Sequence, residues 1–94
     1  MKPIRAQHTL GQAMALKRIE GRISDLFGPQ THLSRVRWRK FECDLTVRTP
    51  YGTFDLTLAV TYNSLVLSGR VLSGGSSAAN KLSEIFRVQA AKLL

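Results

Sequence analysis

The chain lacks several features that mark particular classes of protein. Its 94 residues include one cysteine, which excludes an intrachain disulfide and suits a reducing compartment. No apolar run approaches the roughly 20 residues that cross a bilayer. No apolar h-region follows the first five residues, Met1-Lys2-Pro3-Ile4-Arg5, so no secretory signal is visible. These absences predict a cytoplasmic protein without a transmembrane segment.

Patterns typical of enzymes and metal proteins are also missing from the sequence. Its six acidic residues are scattered, and no pair suggests acid–base catalysis. His8 and His32 are isolated, so no histidine or cysteine pair offers metal-ligand spacing. Cys43 lies among the apolar residues of a predicted strand and is interpreted as a structural thiol rather than a nucleophile. The sequence therefore predicts a protein that is not an enzyme and uses no cofactor or metal.

Positive charge is what the chain has in excess. Fourteen Lys and Arg residues against six Asp and Glu give a formal net charge of +8. Such an excess raises the local concentration of polyanions such as nucleic acid or anionic lipid. The alternative is a basic soluble protein whose charge has no specific partner.

The clearest pattern in the chain is the alternation over residues 54–62. Large apolar residues occupy the even positions, and small or polar ones occupy all of the odd positions. Because side chains on a strand point to opposite faces with a period of two, one face of this strand is buried and the other meets water. Antiparallel sheets can keep such an open face, so the pattern predicts an antiparallel sheet covered on one side.

Two amphipathic helices are predicted to cover that side. The first begins at a capping box, Thr9-Leu10-Gly11-Gln12, and ends at Gly28-Pro29. The second follows a flexible linker over residues 73–77, is capped by Ser76 or Ser77, and runs from Ala78 to Leu94. Each has one apolar stripe: Ala13, Leu16, Ile19, Ile23, Leu26 and Phe27 in the first, and Leu82, Ile85, Phe86 and Leu93 in the second.

The remaining strands complete the predicted sheet. A short strand covers residues 4–8, and residues 33–49 hold two strands or one sharply bulged strand, because the apolar phase changes near Arg39-Lys40. The last strand directs Leu65, Leu67, Gly69 and Val71 inward. The predicted fold is a single α+β domain over residues 1–94. It is a two-layer sandwich in the order β-α-β-β-β(-β)-α, with an antiparallel sheet and two helices on one face.

The sharpest local feature is the basic segment Arg35-Val36-Arg37-Trp38-Arg39-Lys40. On a strand its three alternate arginines share a face at intervals of about 6.8 Å, and guanidinium groups fork onto phosphate oxygens. The alternative is a solvated face that protects an edge strand, with Trp38 on the opposite, core side. Arg18 and Arg22 on the first helix extend the candidate surface or are ordinary solvent-facing residues. The candidate polyanion-binding residues are Arg35, Arg37, Arg39, Lys40, Arg18 and Arg22.

Short elements spread over most of the chain resemble one family. Residues 4–11, Ile-Arg-Ala-Gln-His-Thr-Leu-Gly, and Arg18-Ile19-Glu20 on the following helix resemble the start of the polyhydroxyalkanoic acid system proteins. The likeness continues at Val36-Arg37-Trp38, at Gly52 before an alternating strand, and at the terminal Leu93-Leu94. The chain departs from the family at Met14-Ala15-Leu16-Lys17, where the family has more charge. It departs again at Arg39-Lys40, where the family has an acidic-Gly turn.

The resemblance implies a noncatalytic cytoplasmic bacterial protein, associated with polyhydroxyalkanoate granules or accessory to the granule system. Its partner would be the granule surface or a granule-bound protein. Two alternatives of other classes stay open: a basic nucleic-acid-binding module, and an interaction module that forms a homodimer through an exposed sheet edge. A salt series discriminates between granule and nucleic acid, because affinity that depends on phosphate contacts falls steeply with ionic strength.

Overall fold

The computed structural model describes residues 1–75 and 77–94. It contains the predicted order of strands and helices, with a short 3-10 helix added after the first α-helix. The elements are β1 (Ile4–Gln7), α1 (Gln12–Ile19), the 3-10 helix (Ile23–Phe27), β2 (His32–Arg39), β3 (Glu42–Thr49), β4 (Gly52–Val60), β5 (Ser64–Gly74) and α2 (Ala78–Leu93). The predicted α+β sandwich with an antiparallel sheet and two helices is confirmed.

The five strands form one sheet in the order β1-β5-β4-β3-β2, and all neighbours are antiparallel. One face carries the apolar residues of the alternating strand β4, and none of Phe54, Leu56, Leu58 and Val60 is more than 3% exposed. Their neighbours Thr57 and Ala59, on the opposite face, are half-buried. The prediction of a sheet with one buried and one open face is therefore confirmed.

The helices and the 3-10 helix close the core over the apolar face. Ile19 of α1, Phe27 of the 3-10 helix and Phe86 of α2 are fully buried, and the two phenylalanine rings lie 6.2 Å apart between centroids. Each such side chain contributes about 1.5–3 kcal/mol by leaving water. None of the described helices is long and apolar enough to cross a membrane.

The first helix is shorter than predicted. It ends at Ile19, and the residues that continue its apolar stripe belong to the separate 3-10 helix. Gly21 lies between the two segments, where it lowers helix propensity. The predicted capping box does not form: Gly11 is the N-cap residue without a side-chain cap bond. The side-chain amide of Gln12 (Nε2) instead donates to the Val60 carbonyl at 2.9 Å.

The predicted linker is also shorter than expected. Ser73 and Gly74 belong to β5 and pair with Thr53 and Gly52 of β4, so the strand extends further than the sequence indicated. Ser77 is the N-cap residue of α2 but makes no side-chain cap bond. Ser76, the other predicted cap, lies outside the described residues.

Residues 33–49 form two strands, one of the two predicted forms. A tight turn at Lys40-Phe41 joins β2 to β3, and Lys40 has a positive φ of 53°. A second irregularity, which the sequence did not indicate, is a bulge in β2 between Ser34 and Arg37. The apolar phase therefore changes within β2, where Leu33 and Trp38 pair with Val47 and Cys43 on the helix side.

Candidate binding surfaces

The open face of the sheet collects most of the arginines of the chain. Six of the nine arginines lie in strands, whereas none of the five lysines does. Residues paired across neighbouring strands share a face, and the register assigns five of these arginines to the side opposite the helices. We call this surface the arginine face: Arg5, Arg35, Arg37, Arg39, Arg48 and Arg70, with the carboxylates Glu42, Asp44 and Asp55.

Arg35 reaches the arginine face through the bulge in β2. Ser34 pairs with Thr46 on the open face, so uninterrupted alternation would turn Arg35 towards the helices. The extra residue of the bulge and the left-handed φ of 54° at Arg35 break that alternation. Arg35 instead lines a depression of about 500 Å³ on the open face, together with Asp55 and Arg70. The bulge thus keeps Arg35 on the same side as Arg37 and Arg39.

One network of polar contacts fixes the middle of the arginine face. The Arg39 guanidinium donates to Asp44 Oδ1 at 3.1 Å and to Glu42 Oε2 at 3.4 Å. The Thr57 hydroxyl donates to the same Asp44 oxygen at 2.9 Å. Exposed ion pairs of this kind contribute only about 0–1 kcal/mol to stability. Their main effect is to hold Arg39 in place and to neutralise Asp44.

The other arginines of this face are less constrained. Arg70 lies 3.8 Å from Asp55, and its side chain is largely exposed. Within the part of the chain that the structure describes, four arginines of the face make no ion pair with a carboxylate: Arg5, Arg35, Arg37 and Arg48. These four guanidinium groups are free to meet an anion from outside the molecule.

The structure brings together some of the candidate residues and separates others. Arg35, Arg37 and Arg39 lie together, and Lys40 follows them in the adjoining turn. Arg18 lies on α1, on the other side of the sheet, and Arg22 follows α1 and pairs with Asp25 at 3.2 Å. Sequence reasoning missed three arginines whose outward position in a strand was the available signal: Arg5, Arg48 and Arg70. Trp38 is half-buried against the core, on the side that the alternative interpretation predicted.

A second surface, the apolar groove, lies between α2, residues 28–31 and the turn between β3 and β4. Its volume is about 410 Å³, and its apolar lining is Phe27, Pro29, Pro50, Tyr51, Ile85 and Val88. Tyr51 and Val88 are 48% and 53% exposed, and the Lys81 ammonium lies 6.0 Å from the centre of the Tyr51 ring. Three segments far apart in sequence build this groove, so no local pattern indicated it.

The histidines and the cysteine have structural positions. The buried His8 ring connects two turns, since its Nε2 lies 3.1 Å from the Thr61 carbonyl and its Nδ1 accepts from the Leu10 amide at 3.2 Å. His32 is exposed and pairs with Arg48 across β2 and β3. The described residues contain no group of three His, Cys, Asp or Glu side chains arranged to hold a metal ion.

Cys43 is fully buried near the start of β3. Burial raises the pKa of its thiol above the ordinary value of 9.0 because the thiolate loses hydration. A hydrogen bond from the Arg37 backbone opposes this rise, and the nearby Asp44 carboxylate adds to it. The thiol therefore stays protonated and weakly nucleophilic at neutral pH.

We expect Cys43 to resist thiol reagents in the folded protein and to make stability fall at alkaline pH. The pKa of the thiol is raised on folding. Its contribution to the free energy of unfolding is therefore fully present below the pKa of the unfolded chain, and it is lost as pH rises through the pKa of the folded protein. Denaturant unfolding of the wild type and Cys43→Ala from neutral to alkaline pH measures this effect. The stability difference between them should change in favour of Cys43→Ala above about pH 9. Rapid labelling of Cys43 in the native protein would contradict the burial argument.

Comparison of the chain with protein-family models, with curated proteins and with solved structures found no match.

Proposed function

We propose that the protein is a noncatalytic accessory protein of bacterial polyhydroxyalkanoate granules, located in the cytoplasm, that docks on the granule surface through the apolar groove. The observation that carries this proposal is the groove itself. A concave apolar surface with two large, half-exposed side chains suits an aliphatic polyester better than a charged ligand. Its volume of about 410 Å³ is within the usual range for a ligand site.

The positions of the residues that carry the family resemblance support an association role. His8 connects two turns, and Gly11 begins α1 with a φ of +80°. A side chain at Gly52 would meet the backbone of Ser73 and Gly74. Trp38 and Leu93 pack into or against the core. These positions are structural, which is consistent with the framework that the resemblance implies.

Homodimer formation through a sheet edge is a second candidate, favoured by one observation. Strand β1 pairs with residues 64–67 of β5, whereas β5 continues to Gly74. The later part of β5 exposes Val71 and Leu72, and an uncovered strand edge is a template for pairing with another chain. Measurement of the molar mass in solution by light scattering tests this candidate, and a monomer at high protein concentration would exclude it.

The granule proposal predicts that Val88→Asp weakens binding to purified polyhydroxyalkanoate granules in a sedimentation assay. Loss of a buried apolar contact of about 1.5–3 kcal/mol corresponds to roughly tenfold or more in affinity. Met14→Asp is the matched control, because Met14 is also an apolar helix residue, is 51% exposed, and lies outside the groove. Wild-type binding should change little between about 50 and 200 mM salt, the range over which phosphate-dependent binding collapses.

Three outcomes would contradict the proposal. The first is no sedimentation with granules, and the second is equal loss of binding in Val88→Asp and Met14→Asp while both variants stay folded. The third is binding to native granules but not to granules stripped of protein, which would identify a granule-bound protein as the partner.

A further inference from the structure

The basic residues of the arginine face are arginines and not lysines, which bears on the kind of anion that the face can bind. All six basic residues in the strands are arginines, and the lysines lie in helices, in a turn or before β1. A guanidinium is planar and offers two parallel N–H donors, which match the oxygens of a phosphate, whereas an ammonium acts as a point charge. For solubility alone either residue would serve. The composition of this face therefore favours contact with phosphate oxygens.

The spread of the arginines indicates an extended ligand. Arg39 and Arg5 lie in the same cross-strand row, on β2 and β1 at opposite edges of the sheet. Four inter-strand spacings separate them, or about 19 Å. Arg39 pairs with Glu42 of β3, and Arg48 lies six residues further along that strand. The separation along the strand is about 20 Å. A single small anion cannot bridge such distances, whereas a polymer of phosphates can.

The carboxylates of the face restrict where phosphates can bind. Asp44 and Asp55 both line the central depression, where they would repel a phosphate that entered it. Asp44 is held by Arg39 and Thr57, and Asp55 lies near Arg70. Of the four arginines without such pairs, Arg35 lines the depression from the edge strand β2, and Arg5, Arg37 and Arg48 lie around it on β1, β2 and β3. Six arginines against three carboxylates leave the face positive, with its available charge at the rim.

The low aromatic content of this face favours a duplex over a single strand as the partner. Among its described paired residues, the aromatic ring present is the imidazole of His32, which pairs with Arg48 from the edge strand β2. Apart from His32 and the charged residues, the paired residues on the open face are small, apolar or polar: Gln7, Ser34, Thr46, Thr53, Thr57, Ala59, Ser64, Val66, Ser68 and Ser73. Trp38 and Phe54 point to the helix side. Proteins that hold single-stranded nucleic acid stack its bases on aromatic side chains. A duplex presents its phosphates outward and needs no such stacking.

We propose that the arginine face binds the phosphate backbone of double-stranded nucleic acid without reading its sequence. Charge complementarity selects this partner, and the rim arginines Arg5, Arg35, Arg37 and Arg48 make the contacts. This activity is independent of the apolar groove, which lies at α2 and the β3–β4 turn rather than on the open face.

The test is binding of a fluorescent duplex of random sequence, followed by anisotropy at several salt concentrations. Four phosphate contacts predict a slope of about −3.6 in a plot of log affinity against log salt, from roughly −0.9 per neutralised phosphate. The dissociation constant should lie within about 10⁻⁴–10⁻⁶ M at physiological salt. The variant Arg35→Gln/Arg37→Gln/Arg48→Gln should bind at least about tenfold more weakly and have a slope near −1.

A matched variant separates this face from net charge. Arg18→Gln/Arg87→Gln/Lys92→Gln removes the same three charges from exposed residues of the helices and should bind within about twofold of the wild type at a given salt concentration. The variant Arg35→Lys/Arg37→Lys/Arg48→Lys keeps the charge and tests the guanidinium geometry, so intermediate affinity is expected. Circular dichroism confirms that each variant is folded.

Several results would overturn the inference. They are absence of duplex binding at about 50 mM salt, equal weakening in the strand and helix variants, and tighter binding to a single strand than to a duplex. Binding to phosphatidylglycerol vesicles through the same arginines, without duplex binding, would assign the face to a membrane. The granule assay of the strand variant and the duplex assay of Val88→Asp should both match the wild type, so the two proposals fail separately.

Discussion

Leu56→Asp should leave the chain unfolded at room temperature, whereas Thr53→Asp should leave it folded. Both positions lie on β4, but Leu56 is 3% exposed in the core and Thr53 is on the open face. Truncation of a buried leucine to alanine costs about 2–5 kcal/mol, and a buried carboxylate without a partner adds several more. The total approaches or exceeds the about 5–15 kcal/mol that stabilises a small domain.

Thr53→Asp is a sensitive control because it introduces the same carboxylate three residues away. Thr53 pairs with Arg48 on β3, so the new charge faces a guanidinium that has no ion pair among the described residues. Its effect on stability should stay within about 0.5 kcal/mol. Far-ultraviolet circular dichroism and urea titration measure both variants. A folded Leu56→Asp protein, or an unfolded Thr53→Asp protein, would contradict the orientation of β4.

The second large effect is expected for Gly69→Ala. Gly69 pairs with Leu56 and has a φ of 144°, which side-chain-bearing residues rarely adopt. A Cβ atom at this position would meet the Asp55 carbonyl and lie 2.9 Å from the Leu56 Cα, so the backbone of β4 or β5 would have to move. Backbone strain costs about 1–3 kcal/mol, and the forced shift adds about 1–3 kcal/mol.

Gly21→Ala is the matched control for this substitution. Gly21 lies between α1 and the 3-10 helix, and a Cβ there would have no atom within 4 Å. Such a change should be neutral or stabilise the fold by up to about 1 kcal/mol, because alanine restricts the unfolded chain. The midpoints of urea unfolding compare the two variants. Equal midpoints would show that β4 and β5 are further apart at Gly69 than the structure indicates.

Local patterns predicted those parts of the fold that local physics controls. The alternation over residues 54–60 identified the buried face of β4, because a period of two depends only on the strand itself. The first helix shows where this reasoning ends. Thr9 and Gln12 have the spacing of a capping box, but the Gln12 amide bonds to Val60, 48 residues away. Local sequence patterns do not reveal contacts between residues so far apart in the chain.

The same distinction applies to the candidate surfaces. Arg35, Arg37 and Arg39 stand out in the sequence because they are close together, although the bulge that places Arg35 depends on pairing with β3. Arg5, Arg48 and Arg70 join them through the strand order, which the sequence did not specify. The apolar groove combines residues from three distant segments. Sequence reasoning therefore found the densest part of the arginine face and missed its full extent and the groove.

The strand order also determines which strand pairings close short loops and which closes a long one, and so where the entropic cost of loop closure is largest. Strands β2 to β5 form a meander in which each strand pairs with its neighbour in sequence. Pairings of this kind close short loops and have low contact order. By contrast, β1 pairs Ile4 with Leu67, which closes a loop of about 60 residues at a cost that grows with the logarithm of its length. The sheet can thus form as a series of local hairpins, and among the described strands β1 adds the long-range pairing.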